Sequence, residues 1–436
     1  MPTPTGRRTS ERSRMHKSGH SATSRAGTRG APSAGGAPAV SLLRRWDDGP
    51  AFRAGELTGL AVAEGSGRFA GRSAVVWRSA AGRFLYADPF GHGAVEWEYA
   101  RWTSRWTDIG FEAAELIPSW SADTPLGSGL SVRVQVRDPD GLESDWFTLA
   151  HWAADDQVVH RTTVPGQTSP FGSVEVDTLI AASGRLFGAY RLGIDLLRAP
   201  GSEDSAELHS LSVLASAPAE PALRAVSGPG EARGIVLDVP QRSQEVHTGH
   251  CPQYDGGGEA WAGPACTAMM VSHFGRGPGP AELAWIDPGD PAPDVDFTAR
   301  GVYDYAYRGC GNWAFNAAYA ARFGLMGFVT RLPSLTEVEQ FISVGIPVAT
   351  AQAFRSTELT GAGYSTAGNI MVVCGFTEAG DVVVNDPLSP SDEAVRRTYP
   401  RADFERVWLV GGGGAVYIVH PPGATLPPRT AEFPCW

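Results

Sequence analysis

The sequence predicts an antiparallel β-sandwich followed by an α+β domain, and three observations carry that prediction. Between Trp46 and Ala217, short stretches alternate apolar and polar residues and are separated by Gly, Pro and Asp turns. From Ala217 to Gly234 the chain reads "APAEPALRAVSGPGEARG", the composition of a linker. Beyond it, apolar residues recur first at helical spacing and then in strand-like runs, and helices gathered ahead of a sheet are an α+β layout. At 436 residues the chain is long enough for two cores.

In the first part, "LSVRVQVRD" (Leu130–Asp138) alternates, "DPDG" (Asp138–Gly141) makes a turn with Pro in second place, and "SDWFTLAHWA" resumes a strand. "AYRLGIDLLRA" and "LHSLSVLAS" alternate in the same way. Residues 46–217 are therefore expected to form a sandwich of jelly-roll type. The tryptophans of "WEYARWTS" and "IPSWSADTP" stack on sugar rings if they face outward, and otherwise belong to core or edge packing. After the 218–234 linker, helices are expected at "GPACTAMMVSHFG", at "NWAFNAAYAARFG" closing on Gly324, and at "SLTEVEQFISVG". The last has Ser334 as cap, Glu337 three residues on, and Gly345 as its stop. Strands follow at "IPVATAQAF", "NIMVVCGFT", "DVVVNDP" and "AVYIVHP", within a domain placed at 235–420, with 421–436 as a tail.

The net charge of −11 is unevenly spread. Residues 1–45 hold nine basic side chains against one Glu, so the rest is strongly acidic, which argues against a nucleic-acid partner. Residues 1–40 are Ser, Gly, Ala, Pro and Arg with few large apolar side chains, and are expected to form a disordered basic tail. A twin arginine occurs there without the apolar stretch of an export signal, and no run is long enough to span a bilayer. Lys17 is the only lysine, so the folded part has no amine for Schiff-base or Ser–Lys chemistry. Five unpatterned cysteines exclude a dense disulfide framework and leave one disulfide possible, without saying which.

The stretch "GGGEAWAGPACTAMMVSHFG" (Gly256–Gly275) has the form in which a thiol hydrolase presents its nucleophile: a glycine-rich entry, a Trp, then small residues opening a helix. Such chemistry needs a Cys at a helix N-terminus, a His to take its proton, an Asp or Asn to orient that His, and an upstream Gln to donate to the oxyanion. Helices first and strands later match the papain-like order of these groups. Residues 235–420 resemble the cysteine-peptidase family of bacteriocin-processing enzymes, in a secreted-type branch that carries a β-sandwich before the peptidase domain. The resemblance rests on "LDVPQRSQ", "YDGGGEAW", "YDYAYRGCGNWAFN", "TRLPSLTEVEQFI", "GAGYSTAGN" and "NDPLSPSDEAVRRTY", which occur in order.

The resemblance implies a papain-like fold, with Gln244 at the oxyanion position and Asp386 as the orienting carboxylate. It also implies that Ala262 stands where the nucleophile belongs and Asn369 where the base belongs. A methyl group does not attack a carbonyl, and a carboxamide takes up no proton near neutral pH. A catalytically silent relative is therefore expected, whose cleft, with Trp261 and Asn385 among its binding residues, holds a peptide or cell-envelope ligand. Two alternatives stay open: an active hydrolase using Cys266 or a relocated His, and a glycan- or surface-binding protein acting through the sandwich. The branch implies export.

Three further motifs are read as plain loops. "HTGHC" offers His247, His250 and Cys251, but no fourth metal ligand is evident beside them. "DPGDPAPDVD" (Asp287–Asp296) clusters four acids without the spacing of a calcium loop and is read as a solvated loop. "VGGGGAV" (Val410–Val416) lacks the Lys of a phosphate loop and is read as a flexible turn. No metal or cofactor is expected.

Overall fold

The structure is a computed structural model that describes residues 40–91, 93–218, 225–428 and 436. The expected basic tail lies almost wholly outside them, as does Cys435. Three antiparallel sheets make the frame. Residues 41–216 supply two of them. In the first, Glu115–Asp123 and Glu207–Ser216 pair centrally, flanked by Thr178–Ala181 and Gly172–Glu175 on one side and by Ser73–Trp77 and Leu60–Glu64 on the other. In the second, Phe187–Arg198 lies between Ser128–Arg137 and Gly93–Thr103. The third sheet runs Met326–Arg331, Ala415–His420, Val348–Phe354, Thr366–Phe376, Val382–Asn385, Arg396–Tyr399. The β-rich, two-domain architecture follows from this arrangement.

The alternating stretches fold as their pattern dictates. Trp97, Trp102 and Trp120 all point inward and are essentially unexposed, so the tryptophans of the two quoted motifs are core residues and offer no outward stacking face. The β texture starts earlier than Trp46: Ser41–Trp46 pairs with Glu207–Ser216. Residues 41–45 lay between the expected tail and the expected sandwich, because Leu42–Leu43 followed by Arg44–Arg45 does not alternate. The Arg45 guanidinium lies 4.6 Å from the ring centroid of Phe328, on the third sheet, which gives a charged side chain an apolar seat.

The three expected helices form at Ala262–His273, Trp313–Tyr319 and Leu335–Ser343. Ser334 caps the last, accepting from the Thr336 N–H at 3.1 Å and donating to Glu337 at 2.6 Å. Four helices among the described residues were not expected, two of them only a turn long, Gly49–Arg53 and Pro280–Leu283. Pro293–Val302 takes the second half of the acidic motif, because proline suits a first helical turn and Asp294 and Asp296 favour its positive end. Arg401–Gly412 absorbs half of the glycine run read as a turn. A Cβ on Gly411 or Gly412 would collide with the carbonyls of Ala353 and Ala351, so these glycines let the helix lie directly on the strand Val348–Phe354. Only Gly413 and Gly414, with φ of 60° and 73°, make the turn.

The two domains share one continuous core. Phe315 packs between Trp120 and Trp152, at 6.1 and 5.1 Å. Ser119 and Ser121 each accept from a backbone N–H of the third sheet, Val329 and Gly327, both at 3.0 Å. Buried Arg161 donates to the carbonyls of Ala153 and Arg300. The described half of the linker is also fastened: Glu339 accepts from the N–H groups of Gly230 and Ala232 and from Arg401. Trp436 is buried against Phe341 at 5.1 Å, so the last residue is packed rather than trailing.

Gly412→Ala is expected to cost about 1–3 kcal/mol through overpacking against the strand carbonyls, read as a lower urea midpoint. A variant that melts with its parent would contradict this packing.

Candidate functional site

The helix Ala262–His273 is central because its residues from Gly263 to Val271 are all buried, an apolar surround unsuited to a surface helix. Ala262, half-buried, opens it; Trp261 precedes it, and no side chain caps its amino end. One turn further in, the Cys266 thiol donates to the Ile370 carbonyl at 3.3 Å, which seats the helix on the strand Thr366–Phe376 beside Asn369. The adjoining strand Val382–Asn385 pairs Asn385 with Val372 and delivers Asp386 just past its end.

Asn369 and Asp386 therefore meet. The Asn369 Nδ2 donates to Asp386 Oδ1 at 3.3 Å and to the Tyr364 hydroxyl at 2.9 Å. The Asp386 carboxylate also accepts from Tyr364 at 2.9 Å, from Tyr399 at 2.7 Å and from the Leu388 N–H at 3.2 Å. It is fully buried, so these four donors replace its hydration. Burial first, and then the Asp386 charge, push both tyrosines well above the usual phenol range, so they stay protonated donors.

Gln244 bridges the two halves of the site. Its backbone N–H donates to Pro387 O at 3.0 Å, next to Asp386, while its side-chain Nε2 donates to Glu259 O at 2.9 Å, just ahead of Trp261. A Cβ on Gly258 would strike the Gln244 carbonyl, so glycine there permits the close approach. The carboxamide oxygens of Gln244 and Asn369 are buried with no donor.

Residues 42–216 match the family model described as the peptidase C39 N-terminal domain. Residues 236–416 match that of the peptidase C39-like family. The chain belongs to the peptidase C39-like family. No curated protein matches it. Among solved structures, it is similar to the xylanase 10B CBM22-1–GH10 modules of Clostridium thermocellum complexed with xylohexaose, at 13% identity and a TM-score of 0.21. That match covers 46% of this chain and 33% of the other, so it spans about a third of that structure's length; so low a score carries no argument.

The remaining expected residues of this C39-like chain occupy interior places. Trp261, expected among the binding residues, is fully buried, and its indole N–H donates to Tyr254 O at 2.7 Å. Asn385 holds the incoming segment, donating to Pro240 O at 3.0 Å and accepting from Arg396 at 2.6 Å. Cys266 is fully buried, and burial, then Asp386 and Cys374, raise its thiol well above the ordinary range. Cys374 and Cys310 are buried too, with their sulfurs on the carbonyls of Val372 and Ala299. Four cysteines, 251, 266, 310 and 374, are free, which closes the disulfide option among the described residues.

The loop histidines are placed differently from their reading as solvated groups. His247 is fully buried, and with His250 it faces Asp290 and Asp296, so the two motifs read as separate loops converge. No signal along the chain links them, since about forty residues intervene. Cys251 adjoins this group; burial, then the Asp296 carboxylate, raise its thiol to about 11.

Because the thiolate is the reactive form and a raised pKa withholds it, Cys266, Cys310 and Cys374 should resist iodoacetamide at about pH 8 in the native protein and react after denaturation. Site-resolved mass spectrometry reads this. Native alkylation of Cys266 at the unfolded rate would contradict the described burial.

Proposed function

We propose that this C39-like protein has a papain-like domain whose site binds an extended peptide or cell-envelope ligand without cutting it. The observation that carries the reading is the Asn369–Asp386 pair. If Asp386 is the orienting carboxylate, the group it orients is an amide that donates to it and has no basic lone pair to accept a proton from a thiol. The helix that would carry the nucleophile opens with Ala262. Losing the nucleophile of such a triad costs about a million-fold in rate, and loss of the base as well leaves nothing for selection on cleavage to preserve.

The surroundings support binding over rescue. Cys266, the alternative nucleophile, hydrogen-bonds to a carbonyl and not to an imidazole, and its surroundings oppose thiolate formation. Gln244 remains tied to both the Asp386 turn and the helix entry, so the frame of the site persists although its reacting groups are gone. Just ahead of buried Asn369, Ala367 and Gly368 are exposed at the start of their strand, a place where a peptide backbone can approach the carboxamides.

Restoring both groups tests the assignment. The full chain carrying Ala262→Cys with Asn369→His should be labelled by a peptidyl thiol-reactive probe, while the natural protein stays unlabelled. A folded double variant that remains inert would refute the mapping of these two positions. Labelling of the natural protein at Cys266 would refute inactivity.

A further inference from the structure

Outside the peptidase-like site, four metal-ligating side chains converge. One ligand atom from each of His247, His250, Asp290 and Asp296 lies within 4.8 Å of all the others. His247 Nδ1 is 2.7 Å from Asp296 Oδ2 and 3.6 Å from Asp290 Oδ1. His250 Nδ1 is 3.1 Å from Asp290 Oδ2 and 3.4 Å from Asp296 Oδ1. Ligands about 2.0–2.1 Å from a tetrahedral zinc stand about 3.3–3.4 Å apart, and the His–Asp spacings of 2.7 to 3.6 Å, which involve both oxygens of each carboxylate, lie on either side of that value.

A second observation separates this group from a chance cluster of charges. The His247 side chain is wholly buried, and the side chains of Asp290 and Asp296 are 1% exposed. Yet both ring nitrogens of His247, and the Oδ2 atoms of both aspartates, make no hydrogen bond despite their short separations. Asp290 Oδ1 accepts from the Ala292 N–H at 2.9 Å, but a buried carboxylate oxygen left without a donor is costly unless a cation compensates it.

We propose that His247, His250, Asp290 and Asp296 form a structural site for a divalent transition metal of the zinc type. Two carboxylates balance the charge of a divalent ion, and two imidazoles supply the nitrogen ligands that hard, oxygen-seeking calcium and magnesium do not prefer. The site is closed by four protein ligands, which is the pattern of a structural rather than a hydrolytic zinc.

Its position gives it a task. The His247 backbone N–H donates to Gln244 O at 3.0 Å, and its ring lies 6.1 Å from that of Trp261. Asp296 belongs to the helix Pro293–Val302, whose Arg300 pairs with Asp156 of the sandwich at 2.7 Å. A metal here staples the loop that carries Gln244 to the helix that docks on the other domain.

The test uses the full chain, stripped with a chelator and titrated separately with Zn²⁺ and Co²⁺. Expected are one equivalent bound per chain, the intense visible absorption of tetrahedral Co²⁺, and a higher melting temperature with metal. His250→Ala, at the most exposed of the four ligands, should fold without metal like the stripped parent and bind Zn²⁺ more than about tenfold more weakly. Asp290→Asn, which keeps the side-chain shape, should weaken binding in the same direction. A stripped parent that binds neither ion overturns the proposal. So does a parent whose Zn²⁺ affinity is unchanged in both variants, since the metal would then sit elsewhere.

Discussion

A carboxylate withdrawn from water must be met by donors, and the way Asp386 is met sets the character of the whole site. Four donors surround it: an amide, two hydroxyls and a backbone N–H, with no imidazole among them. Each is neutral; Asn369 and Tyr399 come from strands, Tyr364 and the Leu388 N–H from the segments beside them. The resulting network is rigid and fully occupied on the carboxylate side. In a working thiol hydrolase the same carboxylate would steady a ring that shuttles a proton; here it steadies a group that keeps its protons.

The same solution recurs where the two domains and the linker are joined. Glu339 and Glu405 reach back to the 225–234 segment and are met by backbone N–H groups, a serine hydroxyl and Arg401. Asp304 and Asp177 do the same across the domain junction, accepting from Thr163 N and Trp313 N. With a single lysine in the chain, arginine supplies the cations at such joints, and its planar fork suits several acceptors at once. A shared core with paired acids at its margin leaves little freedom for the domains to move independently.

Much of this was legible in the sequence because the signals were local. Period-two alternation located the strands at Ser128–Arg137, Phe187–Arg198 and Glu207–Ser216, and the Ser334 cap with Gly345 bounded a helix. The site positions depended on resemblance, and the structure adds what a residue string omits: the partners of Asp386 include Tyr364 and Tyr399, which neither spacing nor composition singled out. The failures have physical causes. Arg44 and Arg45 break the alternation that marks a strand, and Ser41–Trp46 is recognisable only once Phe328 is seen beneath Arg45. Gly411 and Gly412 look like a turn until the carbonyls that need their missing Cβ atoms are in view. His247 and Asp296 become neighbours only through the packing of two segments far apart in the chain, a relation that no local pattern encodes.

The central claim is that the site holds peptide without hydrolysing it, and the most direct measurement follows the fate of peptides themselves. The natural full chain is incubated with a complex peptide mixture, and bound and free fractions are sequenced by mass spectrometry over time. The account predicts a retained subset of peptides whose ends are unchanged at every time point. New termini that accumulate at a consistent sequence, and vanish when Cys266 is replaced by Ser, would contradict it.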